Sequence, residues 1–229
     1  SDVYKRQDGY THDAQVVVYN GPDENFQGSE IAFACNENTV TIADVSDPSD
    51  TYTISATSYD NSQYTHQGWL TEDQHYFLVG DELDGYYDGV NTTTFIWDVA
   101  DLSYPVLIGT FVSSTPAIDH NLYIVDNLCY HSNYRAGLRI TSIADVAQGQ
   151  MEEVAFFDVY PDNDNAQFNG TWSNFPFFPS GVIAVSNIEG GIFFVMPTLE
   201  SGCFADFNID LVVSVADLLQ LIAEFSCVG

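Results

Sequence analysis

Three histidines recur at a regular interval along this chain and carry the side chains best suited to chemistry. His12, His66 and His120 lie 54 residues apart, and Trp172 follows 52 residues after the third. Imidazole nitrogens bind divalent transition metals, and nearby carboxylates can act as further ligands or orient the rings. If the repeats surround one axis, these positions predict an axial binding site with a transition metal as its candidate cofactor. The acidic residues assigned to this site are Asp13, Asp81, Glu82 and Asp119.

The same periodicity supports a structural alternative. Residues that recur in every repeat commonly hold adjacent repeats together, and an imidazole can hydrogen-bond the backbone of the neighbouring repeat. An indole is not a metal ligand, so Trp172 in the fourth position favours this alternative. The chain has no Gly-x-Ser-x-Gly, His-Glu-x-x-His or phosphate-loop motif. The sequence therefore favours a protein that is not an enzyme, and a metal-dependent enzyme using the axial histidines remains the alternative.

Short β-strands must position these residues. Each histidine opens a unit of β-branched and aromatic runs, separated by Gly, Asn, Asp and Pro. We expect the run after each histidine or Trp172 to be the innermost strand of its unit, at residues 16–19, 76–79, 122–125 and 182–185. A repeat of about 50 residues with several strands is typical of a β-propeller blade. The sequence predicts an all-β propeller fragment over residues 8–198, with about four blades of four strands and a period of about 54 residues.

Several motifs within these units follow one another in a fixed order. They are HQGWLTED at 66–73, DHNLY at 119–123, SNYRAGLR at 132–139 and GTWSN at 170–174. In these motifs the chain resembles the choice-of-anchor B family, whose members carry LVIVD-type β-propeller repeats. The resemblance covers roughly residues 10–197. It implies an extracellular or cell-surface protein with a variable C-terminal attachment device, and it supplies no established reaction or substrate.

The C-terminal segment, residues 199–229, has the spacing of a calcium-binding loop followed by an amphipathic helix. The oxygen ligands of an EF-hand loop occupy positions 1, 3, 5, 7, 9 and 12. In this chain those positions are Asp206, Asn208, Asp210, Val212 through its backbone carbonyl, Ser214 and Asp217. The loop resembles one half of a type I dockerin, but Leu211 replaces the usual Gly and is expected to weaken calcium binding. The alternative is an acidic loop that caps a short helix.

The four cysteines have two different predicted states. Cys203 and Cys227 bracket the C-terminal segment, and we predict a disulfide between them because so small a unit needs a covalent staple. Cys35 and Cys129 lie in β-rich runs, where we expect buried thiols.

The first seven residues, SDVYKRQ, read as a translated sequencing adapter and are excluded from the fold. They contain the only lysine of the chain, Lys5. We therefore expect a fragment of a metagenomic reading frame, truncated at its N-terminus, with its signal peptide lost by the same truncation.

The charge of the chain limits its partners. Asp and Glu number 33 against 4 Lys and Arg, which gives a net charge of −29. Such a chain repels nucleic-acid phosphates and anionic lipids, and no apolar run approaches the roughly 20 residues of a membrane helix. The acidity suits a marine or saline extracellular setting.

We expect a secreted or surface-attached propeller that binds a protein or carbohydrate, with a C-terminal docking or calcium module; a purely structural spacer is the third possibility. The aromatic run at 175–179 offers rings on which sugars can stack.

Overall fold

The protein is described here by a computed structural model that covers residues 10–198. This part of the chain forms four antiparallel sheets, one for each sequence repeat. Blade 1 contains β1 (Asp13–Val18), β2 (Glu30–Cys35), β3 (Val40–Asp44) and β4 (Tyr52–Thr57). Blade 2 contains β5 (Thr65–Leu70), β6 (Tyr76–Asp81), β7 (Thr93–Asp98) and β8 (Val106–Val112).

The third and fourth repeats form the remaining two sheets. Blade 3 contains β9 (Leu122–Val125), β10 (Leu128–Asn133), β11 (Gly137–Ser142) and β12 (Glu152–Phe157). Blade 4 contains three described strands, β13 (Thr171–Phe175), β14 (Ile183–Asn187) and β15 (Gly191–Val195). In every sheet, strands adjacent in sequence are hydrogen-bonded neighbours. The prediction of an all-β propeller fragment with about four blades is confirmed. The predicted adapter, calcium loop and Cys203–Cys227 disulfide lie outside the described residues.

The middle strands of blades 1, 2 and 3 are buried on both faces. In blade 2, Phe77, Leu78 and Val79 of β6 are inaccessible to solvent, as is Ile96 of β7. Strands covered on both faces read as continuous apolar runs, and strands at a sheet edge alternate. The outermost strand β8 has no buried residue and leaves Val106 more than half exposed.

Three apolar clusters join the four blades in series. Between blades 1 and 2, the rings of Phe33 and Phe77 pack with their centroids 5.4 Å apart. A second cluster joins blades 2 and 3, and a third joins blades 3 and 4. Cys35 and Cys129 lie in the first two clusters as free buried thiols, as predicted, and burial raises the pKa of both. Each blade is thus stabilised by packing against the next, as in other repeat architectures.

Two predicted innermost strands are corrected by the structure. In blade 2 the first strand is β5, which contains His66 itself, and the predicted strand 76–79 belongs to the second strand, β6. In blade 4 the run 182–185 likewise falls largely in the second strand, β14. Polar residues and a glycine within β5 interrupt the β-branched pattern, so the sequence pattern does not predict this strand.

Two short helical turns were not predicted. The one-turn helix α1 (Asp84–Asp88) follows β6, and a 3₁₀ turn (Val146–Gln148) follows β11. Neither is long enough to produce a helical period in the sequence. No helix in residues 10–198 has the length and apolar character needed to cross a membrane.

Candidate functional site: the axial histidine column

The three recurring histidines and Trp172 stack on one another where the first strands of the four blades meet. The ring centroids are 4.1 Å apart for His12 and His66, 4.5 Å for His66 and His120, and 4.3 Å for His120 and Trp172. We call these four residues the axial column. The 54-residue period therefore corresponds to one step from a blade to its neighbour.

Each histidine of the axial column donates a hydrogen bond to the blade that follows. The Nδ1 atom of His12 lies 3.0 Å from the carbonyl oxygen of His66, and Nδ1 of His66 lies 3.1 Å from that of His120. His120 makes the same contact with the carbonyl of Trp172. A carbonyl oxygen only accepts, so each Nδ1 must carry the hydrogen. These bonds support the structural role considered above, and they also leave Nε2 unprotonated whenever the ring is neutral.

Burial keeps two rings of the axial column neutral. Loss of hydration, together with the neighbouring His120 and His12 rings, lowers the pKa of His66 to about 3. Burial likewise lowers the pKa of His120 to about 4. Near neutral pH both side chains therefore present an Nε2 lone pair.

Glu82 brings a carboxylate to these rings. It is the first residue after β6, and its Oε2 lies 3.7 Å from Nε2 of His66. Its Oε1 accepts a hydrogen bond of 2.8 Å from the Tyr134 hydroxyl, and burial raises its pKa. One ligand atom each from His66, Glu82 and His120 lie within 4.8 Å of one another. Of the seven residues predicted for the axial site, the structure gathers these three into a group able to hold a metal ion.

Two further predicted residues occupy separate positions. Asp81 is inaccessible to solvent, and its carboxylate accepts hydrogen bonds from the Tyr59 hydroxyl and from the backbone amides of Gln63 and Tyr64, at 2.6–2.9 Å. It therefore anchors the segment between blades 1 and 2. Asp13 is half-buried opposite Cys35, and its carboxylate accepts from the neighbouring backbone amide of Ala14.

Asp119 directly precedes His120 in the sequence, and its side chain is buried. Its side chain lies against Gly80, where an added Cβ would fall 2.2 Å from Oδ2, and its buried Oδ1 has no hydrogen-bond partner. Burial raises the pKa of this carboxyl well above its usual value, and the charges of Asp84, Asp81 and Glu82 raise it further. Its surroundings therefore favour the uncharged form of the Asp119 carboxyl.

Tyr134 belongs to this site and was missed in the sequence. It is the first residue after β10, as Glu82 is after β6, and its side chain is almost fully buried against His120. Its backbone φ is 31°, a value that a bulky residue rarely adopts and that surrounding contacts must enforce. The available signal was its position 52 residues after Glu82, two residues short of the 54-residue repeat.

A second set of repeated side chains lies three residues after the axial column. Trp69, Tyr123 and Phe175 follow His66, His120 and Trp172 by three residues, and Gln15 takes this position in blade 1. The rings of Trp69 and Tyr123 are 5.1 Å apart. Gln15 instead accepts a hydrogen bond from the backbone amide of Leu70, which ties blade 1 to blade 2.

Two rings from the 175–179 segment extend this set. Phe177 lies 5.9 Å from Trp69 and 5.8 Å from Tyr123, and Phe178 lies 4.9 Å from Phe175. We call Trp69, Tyr123, Phe175, Phe177 and Phe178 the aromatic face. Its three phenylalanines are 38–47% exposed. The sequence singled out the run 175–179, but it did not show that Trp69 and Tyr123 join it.

Comparison with known proteins identifies the fold. No known family and no curated protein matches the chain by sequence. The periplasmic gluconolactonase PpgL of Pseudomonas aeruginosa is similar in structure, with 15% identity, a TM-score of 0.53, and coverage of 73% of this chain and 53% of that one. A Lactobacillus plantarum protein gives 12% identity, a TM-score of 0.59, and coverage of 87% and 57%. The designed protein Ika4 gives 8% identity and a TM-score of 0.50, with coverage of 86% of this chain and 98% of that one.

These similarities concern architecture alone, because the identities are low. The structural neighbours are β-propeller proteins. The chain spans just over half the length of the gluconolactonase and of the Lactobacillus protein. The chain therefore has a β-propeller fold.

Proposed function

We propose that this chain is the propeller part of a secreted or cell-surface binding protein, and that its aromatic face binds a neutral carbohydrate. The observation that carries the proposal is the continuity of the face, because rings from blades 2, 3 and 4 contact one another and three of them are exposed. Exposed apolar patches built across structural units commonly mark binding surfaces.

The chemistry of the aromatic face suits sugar rings. Flat aromatic rings supply a rigid apolar surface against which the C–H face of a sugar can stack. Polar groups border the rings, since the Tyr123 hydroxyl lies 3.4 Å from the Ser173 hydroxyl, which also accepts from Asn121 at 3.0 Å. Such groups can exchange hydrogen bonds with sugar hydroxyls.

The charge of the protein narrows the ligand class. A net charge of −29 repels polyanions at long range, so uronate-containing or sulfated glycans are disfavoured. Neutral glucans, mannans and xylans carry no such penalty. We therefore assign the face to neutral polysaccharides.

The extracellular setting and the attachment device belong to the same proposal. The motif resemblance to the choice-of-anchor B family supports a surface protein, and the periplasmic enzyme among the structural neighbours is compatible with a location outside the cytoplasm. Calcium binding through Asp206, Asn208, Asp210, Val212, Ser214 and Asp217 would supply the docking module. Calorimetry of the full chain should show a calcium site that Asp206→Ala removes.

Titration with neutral oligosaccharides tests the carbohydrate assignment. Hexasaccharides of β-1,4-glucan, β-1,3-glucan, mannan and xylan are added while tryptophan fluorescence is recorded, because Trp69 lies in the face. At least one should change the emission saturably. Phe177→Ala should weaken that binding about tenfold, since an aromatic anchor contributes on the order of 1–2 kcal/mol.

The matched control is Tyr104→Ala, which removes a ring that is 76% exposed and lies outside the aromatic face. It should leave binding unchanged. If every neutral saccharide fails to bind at millimolar concentration, or if both variants weaken binding equally, the carbohydrate assignment is wrong. In the first case a protein partner or a spacer role would stand in its place.

A further inference from the structure

We propose that the axial column contains a binding site for one divalent transition-metal ion, formed by Nε2 of His66, the carboxylate of Glu82 and Nε2 of His120. This inference goes beyond carbohydrate binding and does not depend on it. It uses residues from blades 2 and 3 that the aromatic face leaves untouched.

The backbone of the propeller sets the tautomer that metal binding requires. The carbonyls of His120 and Trp172 accept from Nδ1 of His66 and His120, so both rings carry their hydrogen on Nδ1. In many metal sites a backbone carbonyl holds one ring nitrogen in this way while the other binds the ion. The same bonds that join the blades therefore prepare two imidazole ligands.

The contact between His66 and Glu82 has the geometry to accommodate a cation. An unprotonated Nε2 faces a carboxylate oxygen at 3.7 Å, so two electron-rich atoms meet without a hydrogen bond between them. A bound metal ion would convert this repulsion into two coordination bonds.

Among residues 10–198, no lysine or arginine side chain supplies a positive charge there. The described residues contain two arginines and no lysine. Arg135 donates to the amide side chains of Asn163, Gln167 and Asn169, and Arg139 pairs with Glu153 at 3.2 Å. Within residues 10–198, therefore, neither arginine neutralises Glu82.

The spacing of the ligand atoms suits a small ion. Bonds of 2.0–2.1 Å in a tetrahedral zinc site place ligand atoms about 3.4 Å apart. The His66–Glu82 distance of 3.7 Å is already close to this value, and all three atoms lie within 4.8 Å. Two imidazoles and one carboxylate favour zinc, cobalt or nickel over calcium.

Tyr134 positions the carboxylate ligand. Its hydroxyl donates to Oε1 of Glu82, which leaves Oε2 directed at His66. Hydrogen bonds of this kind commonly change metal affinity by about 10- to 100-fold. The buried and strained backbone of Tyr134 holds this donor in place. Three protein ligands leave a further coordination position for water or an outside ligand.

Metal titration of the full chain tests the proposal. Protein freed of metal with a chelator is titrated with Zn²⁺ by calorimetry and with Co²⁺ by visible absorption. We expect one ion per chain at this site and cobalt d–d bands of nitrogen and oxygen ligation. Glu82→Gln preserves side-chain size and an acceptor for Tyr134, and it should weaken binding at least about tenfold. His120→Gln should do the same, and Tyr134→Phe should weaken binding about tenfold.

The matched control is Asp98→Asn, because Asp98 pairs with Nε2 of His75 at 3.4 Å in a half-exposed contact away from the axial column. Zinc affinity of this variant should equal that of the wild type. Circular dichroism establishes that each variant folds, and two ligand variants keep the test decisive if one does not. Absence of zinc binding overturns the proposal, as does binding that survives both Glu82→Gln and His120→Gln; survival would place the ion elsewhere, such as the C-terminal cysteines.

Discussion

In each of blades 2, 3 and 4, a residue of the aromatic face follows a residue of the axial column by three positions in the sequence. The two regions nevertheless differ in their contacts and in their exposure. In the column His66 and His120 are buried, Trp172 is 50% exposed, and each histidine is hydrogen-bonded to the next blade. The face is joined by ring contacts alone, and three of its five rings are substantially exposed. A repeat therefore fixes where a residue lies, whereas its contacts and its solvent exposure decide whether it stabilises the fold or remains available to a ligand.

The largest expected effect comes from removing one ring of the column. His66→Ala should lower the free energy of unfolding by about 2–4 kcal/mol, because it leaves the buried carbonyl of His120 without a donor and opens a cavity. Phe177→Ala in the face should cost about 1 kcal/mol or less. Urea denaturation of both variants in the presence of a metal chelator measures the difference. Equal losses would remove the distinction between the two regions.

Acid should destabilise the column and spare the face. The folded pKa of His120, about 4, lies below the unfolded value of 6.5, so its contribution is complete above pH 6.5 and is lost as the pH falls towards 4. His120→Gln should reduce the pH slope of stability by up to about 1.4 kcal/mol per pH unit near pH 5. Phe177→Ala carries no titrating group and should keep the wild-type slope. Denaturation at pH 5, 6 and 7 is the measurement; parallel slopes for all three proteins would contradict the expected buried, neutral imidazole.

The acids beside the column should show the opposite dependence. Burial, together with the charges of Asp81 and Asp88, raises the pKa of Asp84 to about 7. Since the folded pKa exceeds the unfolded value of 3.8, stability is lost as the pH rises from about 4 through 7. Asp84→Asn should therefore gain about 2–4 kcal/mol over the wild type at pH 8 and little at pH 4. Thermal melts at both pH values check this, and an equal gain at both would rule out ionisation as the cause.

The smallest expected effect lies at the rim of the aromatic face. Phe178 is 43% exposed and contacts Phe175. Phe178→Ser should change stability by no more than about 0.5 kcal/mol, as is usual for surface substitutions. A loss above 2 kcal/mol in urea denaturation would show that this ring packs as a core residue.

The spacing of the repeats in the sequence was enough to predict most of the fold. Identical intervals between His12, His66 and His120 predicted successive blades, and the β-branched runs predicted strands within them. The reading failed at β5, where Gln67 and Gly68 interrupt the apolar pattern. Gln67 serves a contact between blades, since it bonds both backbone groups of Leu122, and Gly68 leaves room for the Phe77 ring of its own blade. Local patterns report burial within a strand and do not report hydrogen bonds made to a distant part of the chain.

The candidate site could be predicted only in part from the sequence. Seven residues were nominated because they are imidazoles or nearby carboxylates, and the structure groups His66, Glu82 and His120. Asp81 and Asp13 have the same chemistry, but their oxygens are directed towards backbone amides. Tyr134 was missed because it carries no charge and because its position becomes meaningful only when paired with Glu82.

What the sequence alone determined is the equivalence of positions: a 54-residue period makes each histidine the counterpart of the next, whatever their contacts. The tertiary structure decided what those counterparts do. It placed each Nδ1 against a carbonyl of the following blade, turned Glu82 towards His66, and joined Trp69 and Tyr123 to the phenylalanines of blade 4. These outcomes depend on side-chain directions across blade interfaces, and residues more than 50 positions apart meet there only after the blades have packed.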